Sequence, residues 1–221
     1  MILDNFPMIL WINLDRSIER RNYMKKLLRN LKNTRITAVD GASYELYTYC
    51  VPNNLLKPAE NACTCSHLKA LKYFVDKVKE DRVIIFEDDV SFDFLDKIPY
   101  NWSDFEKALP NYNVIQLAIS SSEIITTNLV EFQNKYYGTT AYLITKEAAR
   151  LILDNYISKT YHKFVLSGRS KATADTVIYS LMNTYSIPIF TYLNKDSTIH
   201  PNHLTFHQAT KEQQQEAWKN E

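Results

Sequence analysis

The sequence predicts an α/β fold in which helices flank a largely parallel sheet. Short apolar runs typical of buried strands alternate with amphipathic helical patterns along most of the 221 residues. A chain of this length can bury roughly 70% of its unfolded surface around a single core. The sequence has no internal repeat and no linker, so we expect one domain spanning residues 1–221.

The first half of the chain begins with a β-α-β unit. An apolar run at residues 8–13 predicts a strand, "RSIERRNYMKKLLRNLKN" has helical spacing, and "RITAVDG" predicts a second strand. Residues 42–60 contain two prolines and have no clear period, which predicts a loop that could cover a site. The segment "CSHLKALKYFVDKVKE" then predicts an amphipathic helix, and "VIIFEDDV" at residues 83–90 predicts the next strand.

The second half continues the same alternation. "SDFE" at residues 103–106 fits a helix-capping box, and "VIQLAI" and "GTTAYLIT" predict two strands. "KEAARLILDNY" and the region around "ADTVIYSLMNTY" predict helices, and "IPIFTYL" predicts a strand. The polar segment "NKDSTIHPNHLTFHQ" and a tail rich in Gln and Glu follow without a predicted element.

Composition excludes some classes of function. The net charge is +1 and the basic residues are scattered, so the chain has no basic stripe for nucleic acid. The three cysteines, Cys50, Cys63 and Cys65, fit neither a disulfide framework nor the usual zinc spacings. No apolar run approaches the ~20 residues of a membrane span, so we expect a soluble, unsecreted protein in the cytoplasm or another reducing compartment.

Three consecutive carboxylates, Glu87, Asp88 and Asp89, follow the apolar run "VIIF". Ionised carboxylates at a buried strand end cost several kcal/mol each unless a cation or donors meet them. Alternation along the strand places Glu87 and Asp89 on one face, where their oxygens suit Mg²⁺ or Mn²⁺. Two other interpretations stay open, a solvated turn after the strand and a phospho-acceptor pocket like that of response-regulator receivers, although receivers place their acids earlier in the chain.

Five segments in order resemble glycosyltransferase family 25, which includes bacterial lipooligosaccharide galactosyltransferases and collagen hydroxylysine galactosyltransferases. They are "WINLDRSIERR", "AVDG", "ENACTCSHLKAL", "VIIFEDDV" and "GTTAYLITKEAARLI". The resemblance runs from about residue 8 to residue 182 and more weakly to residue 203. It implies a GT-A type fold for nucleotide-diphosphate sugars, with a Rossmann-like, mostly parallel mixed sheet flanked by helices.

The resemblance also implies a metal site. Glu87 and Asp89 match the acids that hold Mn²⁺, or Mg²⁺, against the diphosphate of a UDP-hexose, and Asp88 matches a contact to the donor ribose or sugar. "HPNH" resembles the region where a histidine completes the metal shell. We expect His203 in that role, with His200 as the alternative.

Other family positions are implied to contact the donor. Ser66 and His67 match an "SH" pair that we expect at the start of a helix, where free backbone N–H groups meet an anionic group. His67 is equally well explained as a structural histidine. The residues implied to lie beside the nucleotide or its phosphates are Asn13, Leu14, Asp15, Arg16, Asp40, Gly41, Ser66 and His67.

The implied reaction moves a hexose, galactose or glucose, from a UDP-sugar to a hydroxyl of a glycan or a hydroxylated protein, with inversion. Asp175 matches a family Asp and is a candidate base for the acceptor hydroxyl, or else a helix N-cap. Where the family usually has glycines, this chain has Ala59 and Ala62, which affects how closely the backbone approaches the donor. The alternative is a protein of the same fold that binds or scaffolds nucleotide sugars with little turnover, or one part of a larger assembly.

Overall fold

The computed structural model describes residues 5–121, 126–158, 160, 162–170, 172–181, 183–193 and 203–218, without the side chains of residues 203–208. Strands and helices alternate along the chain, which confirms the predicted α/β class. The strands are β1 (Ile9–Asn13), β2 (Asn33–Thr37), β3 (Cys50–Val51), β4 (Arg82–Glu87), β5 (Val90–Ser91), β6 (Val114–Gln116), β7 (Val130–Glu131), β8 (Ala141–Thr145), β9 (Phe164–Val165), β10 (Thr184–Ser186) and β11 (Thr191–Tyr192). The helices are α1 (Ile18–Leu27), α2 (Glu45–Tyr49), α3 (Pro58–Lys77), α4 (Trp102–Ala108), α5 (Lys146–Tyr156), α6 (Ala174–Ile178) and α7 (His203–Ala217), with a 3₁₀ turn at Leu95–Lys97.

A mixed sheet of seven strands, in the order β2-β1-β4-β8-β6-β10-β7, forms the centre of the molecule. β1 is parallel to β2 and β4, and β10 is parallel to β6, whereas β8 is antiparallel to β4 and β6 and β7 is antiparallel to β10. β2, β1 and β4 therefore end at the same edge of the sheet. Their last residues are Thr37, Asn13 and Glu87.

Helices cover both faces of the sheet, because β4 is apolar on both of its sides. Val83 and Ile85 belong to a core cluster that contains residues of α3, α5 and α6. Ile84 and Phe86 belong to a second cluster with residues of α1, α4 and β11. All four side chains are fully buried, as a continuous apolar run in a covered sheet requires.

The region predicted as a loop, residues 42–60, contains α2, β3 and the first residues of α3. Pro58 occupies the first turn of α3, where a missing N–H removes no helical hydrogen bond. The side chain of Glu60 accepts a hydrogen bond from the backbone N–H of Lys57 at 2.7 Å. A start of this helix at Cys65 was therefore wrong, because Pro58 begins the helix instead of breaking it.

Two other expectations are corrected. α4 is capped by Asn101, whose Oδ1 accepts from the backbone N–H of Asp104 at 3.0 Å, so Ser103 is not the cap of a capping box. The polar C-terminal region contains α7, in which Gln214 is fully buried and its Nε2 donates to the carbonyls of Pro188 and Phe190. Hydrogen bonds from a buried polar side chain hold this helix in place. The sequence has no apolar stripe here, so its pattern did not predict a helix.

Most of the predicted strand "IPIFTYL" does not form a strand, although the backbone N–H groups of Ile187 and Phe190 donate to the carbonyls of Gln116 and Leu117. Only its residues Thr191–Tyr192 form a strand, β11, which pairs with β5 beside the acidic residues. Among the described residues, we found no helix with the length and hydropathy needed to cross a bilayer.

Candidate active site

A cleft of about 470 Å³ opens at the sheet edge where β1, β2 and β4 end. Its walls are the last residues of β1 and β4, the residues that follow β1, β2 and β4, the start of α1 as far as Arg20, and the first three turns of α3 with the preceding Lys57. The cleft is within the roughly 300–1,000 Å³ typical of small-molecule sites. The structure brings into it these residues that the sequence singled out: Asn13, Leu14, Arg16, Asp40, Gly41, Ser66, His67, Glu87, Asp88 and Asp89.

Asp88 is compensated within the protein. Its Oδ1 accepts from Arg20 Nη1 at 2.9 Å, and its Oδ2 accepts from Asn13 Nδ2 at 2.6 Å. The Arg20 and Asp88 side chains are only 15% and 12% exposed, so water screens this ion pair weakly. Arg20 follows the β1 end along α1, and the pair therefore ties the first β-α unit to the end of β4.

Glu87 faces the opposite side of the chain, toward α3 and the start of β8. Its Oε1 accepts from Thr139 Oγ1 at 2.7 Å and lies 3.3 Å from His67 Nε2. Burial opposes ionisation of Glu87, but the contacts with His67 and Thr139 and the charge of Arg20 together hold its pKa below the ordinary value. These contacts therefore stabilise the ionised form of Glu87.

Asp89 is the acid that the protein compensates least. Burial and the neighbouring charge of Glu87 raise its pKa to about 7, and the charge of Arg20 offsets only part of this effect. Its Oδ1 accepts a long hydrogen bond of 3.4 Å from Thr140 Oγ1. An Asp that resists ionisation beside an ionised Glu indicates a site that lacks positive charge.

The three acids at the end of β4, Glu87, Asp88 and Asp89, form an acidic corner of the cleft, and their oxygen atoms suit a hard divalent cation. Glu87 and Asp89 offer carboxylate oxygens on the cleft wall, and Arg20 donates to Asp88 while its charge also acts on Asp89 and Glu87. One guanidinium does not balance three acids, and a divalent ion would supply the missing positive charge. Oxygen ligands from one or two carboxylates are what Mg²⁺ and Mn²⁺ ordinarily take from a protein.

The helix terminus at the cleft is not where the sequence placed it. Ser66 and His67 lie in the third turn of α3, so their backbone N–H groups belong to the helix interior and the expectation of a helix start there is wrong. Ser66 Oγ instead accepts from the backbone N–H of Val39 at 2.9 Å and donates to the carbonyl of Ala62 at 2.7 Å. The true N-terminus of α3 lines the cleft through Lys57, Pro58 and Ala59.

His67 is 1% exposed and bridges two strands of the sheet. Its Nδ1 lies 3.1 Å from Tyr142 Oη on β8, and its Nε2 faces Glu87 at the end of β4. This arrangement positions the carboxylate of Glu87.

Gly41 has a steric reason to be glycine. A Cβ atom at this position would lie 2.7 Å from the carbonyl oxygen of Pro58 and 2.9 Å from Ala59 Cα. No side chain fits there, because these are backbone atoms of α3. Beside Gly41, Asp40 forms an ion pair with Arg16 across the cleft wall. The two alanines that replace family glycines, Ala59 and Ala62, line the same wall.

Asp175, the candidate base, lies apart from this group, and the candidate metal histidines lie outside the described residues. Asp175 lies in the first turn of α6, whose N-cap is Thr173, so the N-cap interpretation of Asp175 is wrong. Asp175 is not part of the cleft wall, but its charge, after burial and the charge of Glu87, contributes to a pKa of Cys63 well above the ordinary value. His200 and the side chain of His203 lie outside the described residues; the last described residue before them, Leu193, donates its backbone N–H to the carbonyl of Asp89 at 2.7 Å.

Three residues of the acidic corner were missed as site residues. Arg20 lies within "WINLDRSIERR", and Thr139 and Thr140 lie within "GTTAYLIT", so the motifs contained them without indicating contact with the acids. The preceding Gly138 has a φ of +89°, which favours glycine, and this turn directs both threonines toward β4. The antiparallel pairing of β8 with β4 brings the two threonines to the acids, and α1 carries Arg20 to them.

Comparisons with solved structures gave only weak likenesses, and TM-scores this low support no argument about function. They include A197 from STIV (TM-score 0.42, 10% identity, 84% of each chain covered) and the inositol-1-phosphate CTP transferase from T. maritima (0.40, 10%, 94% of this chain and 97% of that one). The glycosyltransferase GlyE of Streptococcus pneumoniae TIGR4 gave a TM-score of 0.42 at 11% identity, covering 82% of this chain and 45% of that one.

Comparison at the sequence level is informative for most of the chain. A search of curated proteins gave no significant match. The profile of glycosyltransferase family 25, described as LPS biosynthesis protein, matches residues 6–165, which are 160 of the 221 residues. This range contains the cleft residues and ends before Asp175. The chain therefore belongs to glycosyltransferase family 25, and its class of reaction is glycosyl transfer.

Proposed function

We propose that this protein is a metal-dependent transferase that moves a hexose, galactose or glucose, from a UDP-sugar to a hydroxyl of a glycan or a hydroxylated protein, with inversion at the anomeric carbon. The observation that carries the proposal is the acidic corner of the cleft. Glu87 is held as an anion, Arg20 donates to Asp88, and Asp89 resists ionisation although the charge of Arg20 acts on it. A cation that accompanies a diphosphate resolves this imbalance.

The cleft offers separate places for the parts of a nucleotide sugar. The N-terminus of α3 presents N–H groups and the positive end of a 20-residue helix, which suits a diphosphate. Lys57 adds a cationic side chain at the same end. Asp40, on the opposite wall after β2, offers carboxylate acceptors for hydroxyl or imide donors of a nucleoside. The acidic corner lies where β4 ends between these walls.

Glu87 and Asp89 would hold the cation, with His203 as the third candidate ligand. Bound there, Mn²⁺ or Mg²⁺ would stabilise the negative charge that develops on the leaving diphosphate, an effect worth several kcal/mol. His67 and Thr139 fix the Glu87 carboxylate, and Thr140 contacts that of Asp89. Preorganised carboxylates of this kind need little rearrangement when the donor binds.

In the transfer step, the acceptor oxygen forms a bond to the anomeric carbon as the bond from that carbon to the β-phosphate oxygen breaks. The acceptor proton passes to a carboxylate, for which Asp175 is the candidate, and UDP leaves with the bonding electrons. Attack from the face opposite the leaving group inverts the anomeric centre. Asp175 suits this role because its partly exposed carboxylate acts electrostatically on the cleft residue Cys63 without belonging to the donor wall.

A donor screen tests the proposal. The purified chain is incubated with UDP-galactose, UDP-glucose and other UDP-sugars in Mn²⁺, with and without excess chelator, and UDP release is measured. We expect release with one hexose donor, its loss on chelation, and a loss of at least about 100-fold in Asp89→Asn, since a ligand to the cation would be removed. Asp76→Asn is the matched control, because this Asp lies on the exposed side of α3 and pairs with Lys72.

Failure of UDP release with every donor, even as slow hydrolysis, would refute the proposed donor chemistry. The alternative of a nucleotide-sugar binding protein is separated by calorimetry. A binding protein should bind UDP and show no turnover, so Asp175→Asn has no turnover to lose. If the chain is a transferase with Asp175 as its base, the Asp175→Asn variant should still bind UDP but lose turnover. This alternative is worth testing because Ala59 and Ala62 add methyl groups to the donor wall and Asp175 lies beyond the family match.

A further inference from the structure

A second set of potential metal-binding atoms lines the cleft and shares Glu87 with the pair of Glu87 and Asp89. Cys63, His67 and Glu87 each present one ligand atom, and these atoms all lie within 4.8 Å of one another. Cys63 and His67 are one turn apart on α3, and Glu87 ends β4. All three line the cleft, so an ion from solvent can reach them.

We propose that Cys63, His67 and Glu87 form a site for a thiophilic divalent metal, with Zn²⁺ as the physiological ion, which competes for Glu87 with the oxygen-bound cation. The ligand types separate the two sites, because a thiolate, an imidazole and a carboxylate together select Zn²⁺ over Mn²⁺ and Mg²⁺. The competition with the donor-site cation rests on the proposed function, whereas Zn²⁺ binding does not.

The geometry is close to that of a tetrahedral site. Bonds of about 2.0 Å to nitrogen and to oxygen at the tetrahedral angle place these two ligands about 3.3 Å apart. His67 Nε2 and Glu87 Oε1 are 3.3 Å apart in the structure. A sulfur bond of about 2.3 Å requires about 3.5 Å from sulfur to each other ligand. The Cys63 sulfur lies within 4.8 Å of both, so a small side-chain adjustment would bring all three atoms to one ion.

The surroundings of His67 support metal binding at Nε2. A metal on Nε2 requires the imidazole proton on Nδ1, and Tyr142 Oη lies 3.1 Å from Nδ1, where it accepts that proton in a hydrogen bond. Partners of this kind fix the tautomer and orientation of metal-binding histidines. The Cys63 thiol gives its proton to solvent as the metal–sulfur bond forms, and thiolate plus carboxylate balance the two charges of the ion. The fourth position of a tetrahedral site would be left for water or a ligand.

The other two cysteines serve as internal controls. Cys50 and Cys65 are buried and do not line the cleft. The full-length protein, freed of metal by a chelator and then dialysed, is titrated with Co²⁺ as a spectroscopic substitute for Zn²⁺. We expect one equivalent of Co²⁺ to produce a sulfur-to-metal charge-transfer band, one equivalent of Zn²⁺ to abolish it, Cys63→Ser to lack it and Cys50→Ser to retain it.

Two further measurements keep the result interpretable. Tyr142→Phe should retain the band with metal affinity reduced roughly 10–100-fold, as for loss of a partner that orients a ligating histidine. Circular dichroism and a thermal melt without metal establish that Cys63→Ser is folded; if it is not, Cys63→Ala replaces it. Absence of the band in the wild type, or its persistence without Cys63, overturns the proposal.

The competition is measured by electron paramagnetic resonance, in which bound Mn²⁺ loses the signal of the free ion. Zn²⁺ should restore the free Mn²⁺ signal in the wild type, with one Mn²⁺ released for each Zn²⁺ bound. Zn²⁺ binding without Mn²⁺ release refutes the sharing of Glu87. A chain that binds Co²⁺ through Cys63 but never binds Mn²⁺ refutes the proposed donor cation and leaves the thiophilic site standing.

Discussion

Asp89→Asn should make the metal-free protein more stable at neutral and higher pH, although it removes a group that we assign to the donor site. The pKa of Asp89 is about 7 in the folded protein, against 3.8 for an unperturbed Asp. Between these two values the folded state keeps a proton that the unfolded state releases, so stability is complete below the lower value and falls as pH rises toward the higher one. A difference of about 3 units corresponds to at most about 4 kcal/mol.

Water in the cleft and the coupling to Glu87 reduce this figure, and we expect about 2–4 kcal/mol in favour of Asp89→Asn near pH 8. Near pH 5, where folded Asp89 is protonated, the advantage should fall to less than half. Urea unfolding with chelator present, at both pH values, measures the difference. Asp76→Asn is the control, since loss of its exposed pair with Lys72 costs only a few tenths of a kcal/mol. A variant that is no more stable than the wild type near pH 8, or whose advantage is the same near pH 5, would refute this account of Asp89.

Three other predictions concern the same cleft. Mn²⁺ at about 100 times its Kd should stabilise the wild type by about 2.7 kcal/mol in a thermal melt and leave Glu87→Gln nearly unchanged; equal stabilisation of both would place the ion elsewhere. Gly41→Ala should destabilise the protein by about 1–3 kcal/mol in urea unfolding and weaken UDP binding in calorimetry, because its Cβ would lie 2.7 Å from a backbone oxygen of α3; a neutral result would show that α3 moves freely. Arg20→Gln should cost about 3 kcal/mol in urea unfolding by leaving the buried Asp88 without its cation, whereas Arg82→Gln, in a pair that is 48% exposed on the Arg side, should cost under about 1 kcal/mol. Similar costs for the two Arg variants would contradict the importance of burial.

The parts of the fold that the sequence predicted well are those with a strong local period. The continuous apolar run of β4 and the amphipathic pattern of α5 identify elements that the structure confirms, α5 with both ends as predicted. The elements that were missed have non-local causes. α7 is held by buried hydrogen bonds from Gln214 to Pro188 and Phe190, partners far away in the sequence. A proline such as Pro58 is compatible with a loop or with the first turn of a helix, and only the nearby Glu60 favours the helix.

The site was predictable in its membership but not in its connections. Motifs placed Glu87, Asp88 and Asp89 at a strand end, and the structure gathers them with the residues that follow β1 and β2. The motifs could not say which acid is paired, because that depends on where α1 carries Arg20. Nor could they predict the contacts of Thr139 with Glu87, which depend on β8 running antiparallel between β4 and β6.

The end of β4 carries more negative than positive charge. Arg20 donates to Asp88, and its charge also acts on Glu87 and Asp89 without keeping the pKa of Asp89 from rising. A second basic side chain on the α3 side would compensate the remaining acids permanently, and the corner would then have no affinity for a cation. In this region α3 presents Cys63, Ser66 and His67 instead, which hydrogen-bond or coordinate without adding a fixed positive charge. In the proposed function, the stability lost at Asp89 is the physical basis of metal affinity at this position, so stability and metal binding should change in opposite directions when the residue becomes neutral.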